Sequence, residues 1–206
     1  MTAQVLLTQE VAYMIHKAIR HDPKLEVGGL LKCEVVDRGD ERFIRVTDIV
    51  IPPQEVSGGH FDVSAESFLK YTGELDHQRN KEDGKSFWQV YRGVWHSHCN
   101  MGVAPSSTDT DQLDDLLTGE SIRWLIGLVV NLSGDMHCWV VLGEPVFMSA
   151  KLDVAVEAAI FPGLDGRVEG MMKDVRKKVY QPTGIIQQRP ALVHEPTTDE
   201  VTGDAL

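Results

Sequence analysis

Val94-Trp95-His96-Ser97-His98, followed by seven residues and then Ser106-Ser107-Thr108-Asp109, is the stretch on which the reading of this chain turns. Two histidines at i and i+2 on an extended segment point to the same side, with Cα atoms roughly 6.5 Å apart. Both imidazoles can then reach one ion. Imidazole nitrogen and carboxylate oxygen suit Zn²⁺, and two histidines with one acid leave a fourth tetrahedral position open, the layout of a catalytic zinc site. Asp109 is the natural third ligand, because the loop after His98 can return it to the histidines. Each half also has a structural reading. Paired strand histidines occur by chance, and Ser106 with Asp109 three residues on fits a variant capping box at a helix start.

The patterns on either side place this stretch between secondary elements. Residues 8–21 read as a helix capped by Thr8, with Val11, Met14, Ile15, Ala18 and Ile19 at helical spacing. Val27 to Val36 reads as a buried strand, Asp37 to Asp40 as a turn, and Phe43 to Ile51 as the returning strand. Phe61-Asp62-Val63 suggests a short strand, and Ser64 the cap of a helix running toward residue 80, before a polar loop over 80–85. Trp88 to Trp95 reads as a strand leading into His96, and Ser107 to Leu117 as a helix. Trp124–Leu132 and Met136–Leu142 read as a hairpin around Ser133-Gly134-Asp135. Helical patterns resume over Ala150–Ala159 and Val168–Val179. From Gln181 prolines and acids take over, which reads as an extended or disordered tail. The expected organisation is a domain over 1–150, a helical extension over 151–180 and a flexible acidic tail over 181–206.

Bulk properties exclude several classes. With 20 basic against 31 acidic residues the net charge is −11, which disfavours a phosphate backbone as partner. Three cysteines (Cys33, Cys99 and Cys138) without a C-x-x-C pair make a disulfide framework a poor expectation. No apolar run approaches the roughly 20 residues of a membrane span, and the N-terminal residues lack a signal-peptide pattern. The expectation is a cytoplasmic protein with no nucleic-acid or membrane partner.

The string His96-x-His98-x7-Ser106-x-x-Asp109 resembles the JAMM (MPN+, JAB-domain) zinc metalloprotease motif at every defined position, and Pro105 before the serine is similar too. Family members carry an acid upstream, before a Gly-rich apolar run. Glu26 in Leu25-Glu26-Val27-Gly28-Gly29-Leu30-Leu31 matches that placement, with Glu10 and Glu34 as competitors. The resemblance covers roughly residues 8–145 and implies an α/β fold. The implied fold is a single JAB/MPN (cytidine-deaminase-like) domain, with a mixed central β-sheet flanked by helices, followed here by the helical extension and tail. It implies one Zn²⁺ held by His96, His98 and Asp109, with Glu26 as general base and Ser106 as oxyanion donor. Cys99 departs from the proline common after the second histidine, and a small tolerated side chain is the preferred explanation over an extra ligand.

The resemblance also implies a substrate class. Members hydrolyse peptide or isopeptide bonds at the C-terminus of ubiquitin or ubiquitin-like proteins, and a stand-alone prokaryotic or phage-like member is expected. The segment from Gln54 to Phe87 falls where the family varies an insertion beside the groove, so residues 54–63 are expected to form one wall. The tail is a candidate site for a protein partner or a cover for the active site. A non-catalytic MPN scaffold and a phage-type cell-wall peptide hydrolase are the alternatives. Among other residues, His60 reads as a loop histidine. His137 and Cys138 face opposite ways on a strand and make a poor metal pair. Trp88, Trp95, Trp124 and Trp139 read as packing groups, and Gly28-Gly29 as a site of close backbone approach.

Overall fold

In a computed structural model, residues 4–57, 60–62, 70–77, 84–119, 122–143, 148–157 and 164–180 are described. The described residues start with strand β1 (Gln4–Leu7) and helix α1 (Gln9–Ile19). Thr8 caps α1 by accepting the Val11 N–H at 3.2 Å, and the five apolar positions expected to face inward are all buried. The Gly39 turn, at φ 64°, joins β2 (Gly28–Arg38) to β3 (Glu41–Val50) as an antiparallel hairpin. A Cβ at Gly29 would collide with the Val50 carbonyl oxygen, so the close approach read into Gly28-Gly29 is real at Gly29.

The chain then forms short strands β4 (Gln54–Ser57) and β5 (His60–Asp62) and a helix, α2 (70–77). Val63, the expected Ser64 cap and most of the polar loop lie outside the described residues. The strand expected from Trp88 begins later. Phe87–Val90 is one helical turn, α3, and the strand β6 is Tyr91–Ser97. Phe87, Val90 and Tyr91 pack with Leu30 at helical spacing, and Gln89 accepts the Ser86 N–H at 2.9 Å, which holds the turn. Helix α4 (Ser107–Gly119), strands β7 (Trp124–Val130) and β8 (Met136–Leu142) follow as expected.

The helix expected over 150–159 is instead a strand, β9 (Met148–Val156). Leu152 is its one buried side chain, between exposed Lys151 and Asp153, and β9 pairs antiparallel with β8 and parallel with β1. Those ladders satisfy backbone groups that a solitary helix turn would leave to solvent, and they outweigh the helix propensity of Ala150 and Ala155. Helix α5 (Leu164–Lys178) and the two-residue strand β10 (Val179–Tyr180) complete the described part. The tail from residue 181 lies outside it.

The sheet is mixed, and it closes. Its order is β1-β3-β2-β6-β7-β8-β9, with β1 inserted in parallel between β3 and β9. Closure is clasped where Arg45 of β3 donates Nε and Nη2 to Glu157 just beyond β9, at 2.6 and 2.9 Å. A three-stranded sheet, β10-β4-β5, lies apart from the barrel ladder. Central strand β7 is buried on both faces. Ile126 and Leu128 join Trp95 and the α1 and α5 residues, whereas Leu125 and Val129 pack with Leu113 and Leu117 of α4 and with Trp139. Cys138 is fully buried, as a core position should be. No helix among the described residues is long and apolar enough to cross a membrane.

Candidate metal centre

Strand β6 runs antiparallel to β2, with His96 opposite Gly28, and parallel to β7, with His96 beside Val129. The ladder continues one step past the strand, because the His98 N–H donates to the Val130 carbonyl at 2.9 Å. Both histidines are thus held on rigid backbone. The chain turns away at Cys99, whose φ of 31° is in the left-handed region. Proline, fixed near −65°, cannot take that conformation. Burial first, then the nearby charges of Glu26 and Asp22, raises the Cys99 thiol pKa.

Helix α4 delivers the third group. Ser106 is the residue before its first turn and Asp109 the third within it. The Ser106 N–H and hydroxyl both donate to Asp109 Oδ2, at 2.6 and 2.8 Å, and the Asp109 N–H donates to Ser106 Oγ at 3.2 Å. The capping box is therefore present, and it does a second thing: by holding Oδ2 it orients the carboxylate so that Oδ1 faces His96. Oδ1 lies 3.2 Å from His96 Nε2, Oδ2 lies 3.7 Å from His98 Nε2, and the two Nε2 atoms are 3.0 Å apart. Ligand atoms placed around a common zinc at 2.0–2.1 Å and tetrahedral angles are about 3.3 Å from one another. The His96–His98 and His96–Asp109 spacings are close to that value, so the three side chains could hold a metal ion, and they form the one group of metal-ligand type found among the described residues.

The surroundings favour that use. The three side chains are largely buried, at 7, 12 and 12 % exposure. Burial pushes the Asp109 carboxyl pKa upward, but hydrogen bonding and charge from His96 and the two Ser106 donors outweigh it and hold the group well below the usual carboxylate range. His98 Nδ1 lies 2.8 Å from the Gly102 carbonyl oxygen, so it carries the proton and Nε2 keeps its lone pair for the ion. The 99–105 loop that supplies this carbonyl is braced by buried Asn131, whose amide donates to the Met101 carbonyl at 3.1 Å and to Asp135 at 3.0 Å.

Glu26 arrives from the segment before β2 and lines the same cavity as His96, His98, Ser106 and Asp109, a space of about 320 Å³. It is 5 % exposed. Its competitors lie elsewhere. Glu10 pairs with Arg167 of α5 at 2.6 Å, and Glu34 with Arg45 at 3.1 Å. Thus the structure brings together all five residues singled out in the sequence: Glu26, His96, His98, Ser106 and Asp109. A family model for prokaryotic homologs of the JAB domain matches residues 8–144. The chain belongs to this prokaryotic JAB family. No curated protein matches it.

Several residues that shape this JAB site escaped the sequence reading. Ser97, between the two histidines, is 1 % exposed; its Oγ accepts the Val27 N–H at 2.9 Å while its N–H donates to the Val27 carbonyl at 2.8 Å. The residue next to Glu26 is thereby pinned to the strand that leads into the candidate metal ligands. Its place inside the motif was the available signal. Asn131 and Gln54 gave none, since their partners are distant in sequence. Met101, Thr108 and Gln112 line the cavity as well.

Proposed function

We propose that this chain is a zinc-dependent metallopeptidase or isopeptidase that hydrolyses bonds at the C-terminus of a ubiquitin-like protein. The observation that carries the proposal is the convergence of a buried acid, Glu26, on the same cavity as a His-His-Asp donor set that fits zinc. Family membership supports the hydrolase class. When bound, zinc supplies Lewis acidity, polarising a carbonyl and lowering the pKa of water toward about 7.

The chain's own groups would do the rest. Glu26 accepts the proton of the attacking water and returns it to the departing amine. Ser106 donates its hydroxyl to the carbonyl oxygen as negative charge develops there, turning from its resting bond to Asp109. Ser106→Ala is expected to slow turnover by roughly 10²–10³-fold, the scale of one lost oxyanion donor. Its N–H still holds Asp109 Oδ2, so zinc affinity falls only about tenfold, the lower end of outer-shell effects. Chelator competition alongside kcat measures both; an unchanged kcat would remove Ser106 from the reaction.

An extended glycine-containing tail suits this site, because it can pair through its backbone with an exposed strand edge and pass a narrow cleft. In this reading β4, with the segment that follows it in sequence, is the candidate for one wall of that groove, and the 181–206 tail is a candidate site for a protein partner. The direct test is incubation with ubiquitin-like C-terminal fusions and, separately, with peptidoglycan fragments. The expected result is cleavage of the fusion alone, abolished by a chelator and restored by zinc. Cleavage that ignores the chelator, or cleavage of the cell-wall fragments only, contradicts the proposal.

A further inference from the structure

Glu26 stands two residues before the point where β2 meets β6, and the backbone there lacks its second neighbour. The β2–β3 ladder reaches its last pair at Leu30 and Val50, after which β3 departs through Ile51, Pro52 and Pro53. Gly28 is paired with His96 of β6 on one side. On the other side its N–H and C=O meet a side chain instead of a strand. Gln54 Oε1 accepts the Gly28 N–H at 2.9 Å, and Gln54 Nε2 donates to the Gly28 carbonyl at 2.8 Å and to the Pro52 carbonyl at 3.1 Å. A primary amide presents an acceptor and a donor in the geometry of a backbone peptide, so Gln54 acts as a one-residue substitute for the missing strand. The side chain is 2 % exposed, and every one of these bonds is sheltered from water.

Val27 is clamped from the β6 side by Ser97, and Gly28 from the opposite side by Gln54. Two consecutive peptide units adjoining Glu26 are therefore held from opposite directions. Gln54 also begins β4, which pairs with β5 and with β10 at the end of α5. One amide thus ties the start of the catalytic strand to the small outer sheet.

We propose that Gln54 is a positioning residue for Glu26. By completing the edge of β2 it fixes where the Glu26 carboxylate stands in the metal cavity. The inference rests on the hydrolase reading of that cavity.

Gln54→Met keeps the length of the side chain and removes all three bonds. With a ubiquitin-like C-terminal fusion as substrate, the expected result is a kcat lowered about tenfold or more, the sensitivity of a reaction to small misplacement of a catalytic group. KM and zinc affinity, the latter from chelator competition, stay within about twofold of the parent. Amides of residues 26–30 exchange faster with solvent in the variant. Gln54→Asn, whose amide stops one methylene short, gives the same split of effects if the Met variant fails to fold. An active parent with an unaffected kcat in both variants overturns the role of Gln54 alone. So does a loss of zinc affinity in step with kcat, because the effect would then run through the metal ligands. A parent protein that cleaves no fusion overturns the hydrolase reading itself.

Discussion

Glu26→Gln eliminates hydrolysis of a ubiquitin-like fusion while leaving zinc bound. Glutamine has the size and shape of the carboxylate, so the cavity wall is preserved, but an amide cannot accept the proton of an attacking water. General base catalysis is worth roughly 10²–10⁴-fold, and kcat should fall by at least that factor. None of the three metal-ligating side chains is touched, and zinc content should match the parent. The comparison with Glu10→Gln and Glu34→Gln sharpens the test. Those acids pair with Arg167 and Arg45, away from the cavity, and their replacement leaves kcat unchanged. Parallel kinetics and metal analysis on the three variants decide it; a Glu26→Gln protein as active as the parent would remove the base from the account.

His98→Ala has the complementary outcome: metal and activity are lost together. The substitution removes Nε2 from the three-donor set and also the Nδ1 contact with the Gly102 carbonyl that steadies the 99–105 loop. Outer-shell partners of metal sites already contribute about 10–100-fold in affinity, so losing a direct ligand should exceed 100-fold. Chelator competition measures the drop. Retention of parent affinity would mean that His98 is not a ligand. The pair of variants separates two contributions to one cavity, since one leaves an inactive metalloprotein and the other a metal-depleted chain.

The candidate metal site was legible in the sequence because its geometry is local. His96 and His98 share a strand face, and Asp109 follows at a helix start whose cap is written in Ser106. Glu26 was legible only through the family resemblance, which places an acid before a Gly-Gly run, and its position in the cavity then set it apart from Glu10 and Glu34, which pair with arginines. What was not legible depends on partners far along the chain. β9 carries alanines that suit a helix, and its strand character comes from β8 and from β1, about 150 residues earlier. Closure of the barrel rests on the same β1 pairings and on the Arg45–Glu157 clasp, 112 residues apart. The α3 turn escaped because Trp88 to Trp95 is apolar at both strand and helix spacings, and contact with Leu30 selects the helix for its first residues. Ser97, Gln54 and Asn131 each bond to backbone 70, 26 and 30 residues away, and no local pattern announces those contacts.

One measurement tests the central claim most directly: the metal content of the purified chain, taken with that of Asp109→Ala. Close to one zinc per parent chain, sharply reduced in the variant, is the result expected from imidazole and carboxylate donors converging on a single point. A parent chain that takes up no zinc when offered it, or a variant that holds it equally well, would contradict the claim.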